Sequence, residues 1–209
     1  MNKKITFTTT SLCRPEISKK SLDSLQSAID VDLKLFRIYL NIDPFPSNIN
    51  PDEVESLFKD YFGEVICHKP KLANFANAIK WCWSTADSDF IFHYEDDWLF
   101  KPFSLKGLLN NMQENTHQVR LRAYDWDNHI GKLSLSPSLI KKDCYKAFGK
   151  GMSHDTNPEV QLRNQSIFKV LPTGAIIYPK SILIKDIGRT WLKENKLQRN
   201  KIKSYFINY

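Results

Sequence analysis

The chain has 209 residues, 42% of them hydrophobic and 25% charged, with a net charge of +7 from 30 basic and 23 acidic residues. Those proportions suit a globular protein with one sizeable core and exclude a largely disordered chain. No stretch approaches the roughly 18 consecutive apolar residues of a spanning helix. In chain order, Met1-Asn2-Lys3-Lys4-Ile5-Thr6-Phe7 is basic but runs into threonines instead of an apolar leader core, so a cytoplasmic location is expected. Ile5 to Thr10 is β-branched and aromatic and predicts a first strand. Pro15-Glu16 opens a helix carrying Leu22, Leu25, Ala28 and Ile29 at helical spacing. Leu35 to Ile42 predicts a second strand, stopped by Asp43-Pro44. A helix from Pro51 to Phe62 and a strand from Glu64 to His68 follow. Leu72, Phe75, Ala76, Ile79 and Trp83 mark an amphipathic helix through Ala86. Phe90 to Tyr94 is then a buried strand running into Glu95-Asp96-Asp97.

The second half is less regular. A helix from Leu105 to about Asn115 precedes a strand over Val119–Tyr124 and an apolar segment around Leu133–Ile140. Gly149 to Thr156 reads as a flexible, glycine-bounded loop. It ends at Asn157-Pro158-Glu159, a helix start with Asn as cap and Pro at the first position. A strand over Ala175–Tyr178 leads to a basic terminal segment. The β-α-β-α-β-α-β order predicts an α/β fold, a mixed, mostly parallel sheet flanked by helices, as one domain over residues 1–209. Its two halves, residues 1–100 and 101–209, are unequal in regularity. Ligands of such sheets sit beyond the carboxyl ends of the strands, where Asp43 and Glu95 to Asp97 fall. Cys13, Cys67, Cys82 and Cys144 include no Cys-x-x-Cys pair and read as reduced thiols.

Three adjacent acids at the end of an apolar strand are costly unless a cation or many donors compensate. Carboxylates are the ligands Mg²⁺ and Mn²⁺ prefer, and a cation held there neutralises a diphosphate. A solvated acidic turn is the structural alternative. Phe90 to Phe100, with Glu95-Asp96-Asp97 at its centre, resembles the Asp-x-Asp region of GT-A glycosyltransferases. The Glu-Asp-Asp form is similar to that of N-acetylglucosaminyltransferases acting on N-glycans and of small family-2 bacterial and phage transferases. The helix bearing Asn74 and Asn77 is similar to the one that precedes this motif in family 2. Thr10-Ser11-Leu12-Cys13-Arg14-Pro15-Glu16 resembles the loop around the nucleotide base there.

The resemblance, which covers residues 3 to 100, implies a metal-dependent transferase using a nucleoside-diphosphate sugar, read as UDP-linked. It implies that Asp97 ligates the metal, that Glu95 lies near the ribose or base, and that Asp96 faces the diphosphate or sugar. Asp43 would bond the nucleoside, Arg14 would line the base pocket, and Thr10 and Asn77 would belong to the donor site. From the residues alone, Arg14 reads equally as a surface arginine and Asp43 as a turn residue.

An inverting member needs a carboxylate base for the acceptor hydroxyl. The resemblance implies Glu159 for it, with Asp155 second; a helix-stabilising acid is the alternative reading. His154 completes the metal site or touches the diphosphate, unless it is simply exposed. His93, within the apolar strand, reads as a core residue. Asp186 to Trp191 reads as a phosphate- or acceptor-facing turn with Arg189 as a bidentate group. Trp98 and Trp126 stack on a sugar or merely pack.

From Lys180 onward, Lys180, Lys185, Arg189, Lys193, Lys196, Arg199, Lys201 and Lys203 face only Asp186 and Glu194. This patch implies an anionic acceptor or surface, either DNA carrying hydroxymethylated bases or a lipid-linked or phosphorylated glycan, unless it is a solvated helix face. Two other functions compete. A nucleotidyltransferase normally has a glycine-rich loop after its first strand, and Thr8 to Arg14 contains no glycine. A nucleic-acid-binding module explains the charge but not the acidic triplet.

Overall fold

The computed structural model describes residues 4–45, 49–122, 133–163, 175–177 and 179–194. Strand β1 (Ile5–Leu12) leads into helix α1 (Pro15–Ala28), which has Pro at its start and Glu16 in its first turn. A single 3₁₀ turn (Leu33–Leu35) precedes β2 (Arg37–Asp43). Helix α2 (Pro51–Tyr61) is capped by Asn50, whose Oδ1 accepts from the Asp52 N–H at 3.0 Å. Strand β3 (Glu64–His68) is followed by α3 (Phe75–Thr85), capped by Asn74 Oδ1 from the Asn77 N–H at 2.9 Å. Then come β4 (Phe90–Glu95), β5 (Trp98–Phe100), α4 (Leu105–Asn110) and β6 (Thr116–Arg120). The rest comprises β7 (Ser138–Lys141), α5 (Lys142–Gly151), α6 (Pro158–Arg163), β8 (Ala175–Ile177), β9 (Ile184–Asp186) and α7 (Gly188–Glu194).

Among the described residues seven strands form one sheet in the order β3-β2-β1-β4-β7-β6-β8. The first four are mutually parallel, as the alternation of strands and helices predicts, and β7 reverses against β4 and β6. The second half departs from its sequence reading. Strand β6 ends at Arg120, four residues before the predicted end, and α4 stops at Asn110. Gly149 and Gly151 belong to helix α5 and do not bound a loop. Gly149 sits where a Cβ would lie 2.7 Å from Ser84 N, so the glycine permits close packing of α5 on α3.

The pleat assigns side chains to faces. Phe7, Leu40 and Phe92 point to the side covered by Leu22 and Leu25 of α1 and Phe58 of α2. Tyr39 and Ile91 point to the other, covered by Ile79 and Trp83 of α3 and Tyr145 and Phe148 of α5. Period-two alternation carries Asn41, Asp43, His93 and Glu95 to this second face. His93 is indeed a core residue, accepting at Nδ1 from Trp83 Nε1 at 3.2 Å and lying 2.9 Å from Thr8 Oγ1. Burial pushes its imidazole down to about 3, so it stays neutral. The cysteines are free, and Cys13, Cys82 and Cys144 are buried. No described helix is long and apolar enough to cross a membrane.

Candidate functional site

A cleft of about 250 Å³ opens at the carboxyl ends of β1, β2 and β4. Register sets its floor: Thr10 lies between Asn41 of β2 and Glu95 of β4, and Leu12 beside Asp43. Thr10, Arg14, Asp43, Glu95, Asp96 and Asp97 all border it, and so do Glu159 and Arg189 from the second half.

Asp96 is 1% exposed, and its oxygens are taken by protein donors. Arg14 Nη2 donates to Oδ1 at 2.6 Å. Ser11 Oγ, Ser18 Oγ and the Leu12 N–H donate to Oδ2 at 2.7, 2.9 and 3.3 Å. Asp96, expected to face a diphosphate or sugar, borders the cleft and anchors the β1–α1 turn from within. Arg14 is no surface arginine, being 5% exposed, and its Nη2 also donates to Asp97 Oδ2 at 2.9 Å. Its Cζ lies 5.5 Å from the Trp191 ring centroid, and Trp191 Nε1 donates to Glu16 Oε1 at 2.6 Å.

Asp97 is held from the far end of the chain. Strand β5 pairs antiparallel with β9, opposing Trp98 to Asp186, and the Ile187 N–H donates to Asp97 O at 2.9 Å. Gly188 lies so close that a Cβ there would fall 2.0 Å from Asp97 Oδ2. The residues predicted as a phosphate-facing turn are thus β9 and the first turn of α7. Arg189 is exposed, its Nε 3.2 Å from Asp186 Oδ2.

Negative charge is crowded here. Burial pushes the Glu95 carboxyl well above the usual range, and the charges of Asp97 and Glu159 push the same way. Burial also raises Asp97; Arg14 opposes the rise, and Asp96 and Asp186 add to it. Asp43 is 3% exposed, and burial pushes it up to about 7 against hydrogen bonds from Asn41 Nδ2, at 2.9 Å, and the Asn74 backbone. It is a walled-in carboxylate and not a surface turn. Behind it, Asn41 Oδ1 meets His68 Nδ1 at 2.7 Å, and the His68 ring stacks on Trp81 at 4.9 Å.

Glu159 enters from α6, where the predicted cap is formed: Asn157 Oδ1 accepts from the Glu159 N–H at 2.8 Å. Gln161 fixes the preceding loop, accepting from the Ser153 N–H and donating to the Ser153 and Thr156 carbonyls. Asp155 and His154 are exposed and paired to each other at 2.9 Å, outside the cleft. The structure does not bring His154 to Asp97, because the loop folds back onto α6. Asn77 is exposed on α3 and lends only its backbone to the cap, while Phe75 borders the cleft. Trp98 is buried in the core, with Nε1 3.4 Å from Glu95 Oε2. Trp126 and the basic residues from Lys196 onward lie outside the described residues.

Arg122 borders the cleft without having been assigned to the site from sequence, and no local signal marked it. Asp186 and Gly188 border it as part of the turn that the sequence singled out. Among the described residues no group of three or more His, Cys, Asp or Glu side chains is set to hold a metal ion unaided. Asp97, a hard oxygen ligand facing a cleft with surplus negative charge, does fit a cation that takes its other ligands from phosphates.

The sequence matches no protein-family model, and no curated protein matches it. By fold the chain is similar to the mannosyltransferase PcManGT from Pyrobaculum calidifontis, solved in complex with GDP-Man and Mn²⁺. The TM-score is 0.63 at 11% identity, over 88% of this chain and 56% of that one. It is also similar to residues 1–349 of S. aureus TarS in complex with UDP-GlcNAc, with TM-score 0.62 and 9% identity, over 87% of this chain and 57% of that one. The chain thus spans little more than half the length of these proteins. The likeness is one of fold: the mixed, mostly parallel sheet flanked by helices is that of GT-A-type glycosyltransferases.

Proposed function

We propose that this chain transfers a sugar from a nucleoside-diphosphate sugar to a hydroxyl acceptor, with a UDP-linked donor as the first choice. The observation that carries the reading is the convergence of Glu95, Asp97, Glu159 and Asp186 on one cleft at the strand ends of this fold. Asp43, oriented by Asn41, accepts hydrogen bonds from the nucleoside. Asp97 would be the protein ligand of a divalent cation, Mn²⁺ or Mg²⁺, which when bound supplies neutralising charge for the departing diphosphate. Glu159, which borders the cleft from the capped start of α6, takes the proton of the acceptor hydroxyl. The acceptor is anionic in this reading: Arg122 and Arg189 border the cleft, and Lys180, Lys185 and Lys193 are exposed nearby in sequence. DNA carrying hydroxymethylated bases and a lipid-linked or phosphorylated glycan both meet that description.

A donor screen tests the reading. Thermal unfolding is followed against UDP-, GDP-, CMP- and ADP-sugars with and without Mn²⁺. One donor class is expected to raise the melting temperature only with Mn²⁺, by the equivalent of ~2.7 kcal/mol at a hundredfold excess over Kd. Stabilisation by no donor, or undiminished binding by Asp97→Asn, would overturn it.

A further inference from the structure

Arg14 is held unequally by the two carboxylates it joins. Its Nη2 lies 2.6 Å from Asp96 Oδ1, and its Nε 3.4 Å from Asp96 Oδ2. Asp96 is in turn fixed by two serine hydroxyls and a backbone N–H, and its side chain is only 2% exposed. Asp97 receives the same Nη2 at 2.9 Å, and its side chain is 21% exposed and borders the cleft. On its other side the guanidinium lies against Trp191, itself tied to Glu16. The group therefore cannot swing away, yet its hold on Asp97 is separable from its hold on Asp96.

We infer that Arg14 is a resident counter-ion of Asp97 that competes with a divalent cation, and that the N–H it gives up is a ligand for the donor's diphosphate. This deepens the transferase reading and rests on it. One guanidinium facing Asp96 and Asp97 leaves a net negative charge, to which Glu159 and Asp186 add. A divalent ion at Asp97 answers that charge better than a shared N–H does. Asp96 keeps the guanidinium in place during the exchange, so Nη2 is left facing the cleft where a phosphate oxygen arrives. Arginine suits both partners in turn, since its planar fork matches carboxylate and phosphate alike and its charge is permanent.

The consequence is a pair of effects with opposite signs. Arg14→Gln and Arg14→Lys are titrated in the full chain with Mn²⁺ alone, by calorimetry and by electron paramagnetic resonance of free Mn²⁺. UDP and UMP are then titrated at saturating Mn²⁺, and circular dichroism checks the fold. Without its competitor, Asp97 is expected to bind bare Mn²⁺ several-fold more tightly. UDP affinity is expected to fall roughly tenfold or more, as for a lost charge-assisted hydrogen bond, with UMP less affected. Arg14→Gln strands Asp96 as a buried charge and risks unfolding. Arg14→Lys keeps a cation on Asp96, but its ammonium ends one atom short of where Nη2 bridges the two carboxylates, so it carries the same signs. If the wild type binds Mn²⁺ and UDP but neither variant binds bare Mn²⁺ more tightly, Arg14 is a structural anchor and this inference alone falls. Equal losses for UDP and UMP place Arg14 at the base instead and overturn it too. A wild type that binds neither Mn²⁺ nor any nucleotide removes the transferase reading along with it.

Discussion

Replacing Gly188 by alanine separates the geometry of the cleft from the stability of the fold. Gly188 opens α7 with an ordinary helical backbone, so alanine is not strained there, and helix propensity favours it by ~1 kcal/mol. The added Cβ, however, falls 2.0 Å from Asp97 Oδ2 and 2.8 Å from Cγ, whereas ordinary contact begins at 3.4 Å. Either the carboxylate moves by about 1.4 Å or α7 retreats by that much. The first is easier, since α7 is pinned by the Ile187–Asp97 and Trp191–Glu16 hydrogen bonds and by β9. Displacement breaks the 2.9 Å contact with Arg14, a charge-assisted hydrogen bond of ~1.5–3 kcal/mol. The propensity gain offsets part of that, so the melting temperature should fall by only a few degrees. A displacement of this size in a catalytic group costs ~10²-fold in rate. Thermal unfolding, Mn²⁺-dependent UDP titration and a transfer assay on Gly188→Ala are the measurements. Unchanged nucleotide binding and transfer in a folded Gly188→Ala protein would refute the reasoning, because Asp97 would then not be needed where the structure puts it.

Glu159→Gln should leave UDP binding near normal while transfer falls by ~10²–10⁴-fold; survival of transfer would remove Glu159 as the base. The folded Asp43 carboxyl, at about 7 against 3.8 in the open chain, holds its proton longer than the unfolded one. Its contribution to stability is therefore present below pH 4 and lost as pH rises through 7, a fall of a few kcal/mol. Asp43→Asn, which keeps an acceptor for Asn41 Nδ2, should flatten that part of the melting-temperature profile between pH 4 and 8, and an unchanged profile would assign the slope elsewhere. Gly149→Ala drives a Cβ to 2.7 Å from Ser84 N and 2.9 Å from Trp83 C, backbone atoms that cannot rotate aside. It should destabilise by ~1–3 kcal/mol, read by urea unfolding, without the selective loss of nucleotide binding expected of Gly188→Ala.

The parallel half of the sheet was legible because its signals are local. Proline and asparagine caps open α1, α2 and α3, and Phe90 to Tyr94 is an apolar run that only a doubly covered strand accommodates. Asp43 and Glu95 could be placed from the same pattern, since strand ends locate the cleft. The anchoring of Asp96 was not legible, because three adjacent acids look alike in one dimension. The turn after β4 sends Asp96 towards Ser11, Ser18 and Arg14, and only pairing between distant segments reveals that. Strands β5 and β9 have three residues each, and neither shows a period until it meets the other. Helix α5 was hidden by Gly149 and Gly151, which normally read as a loop; Gly149 is tolerated because α3 packs too closely for a side chain. The loop carrying His154 looked free to reach the metal site, but Gln161 folds it back.

The β5–β9 ribbon bears on the order in which this molecule assembles and on how it opens. Three residue pairs, Trp98 with Asp186, Leu99 with Lys185 and Phe100 with Ile184, join the end of the first half to the last described strand. Such a long loop is closed late and at an entropic cost, after the β1–β4 core can already have formed. Short pairings at the rim of a sheet are commonly among the first to part under native conditions. A transferase must let a nucleotide diphosphate out after each turnover, and such release often sets the overall rate. In the proposed transferase the floor of the cleft is part of the central sheet, whereas the wall carrying Asp186, Gly188 and Arg189 is attached through the three-pair β5–β9 ribbon and the Ile187–Asp97 and Trp191–Glu16 hydrogen bonds.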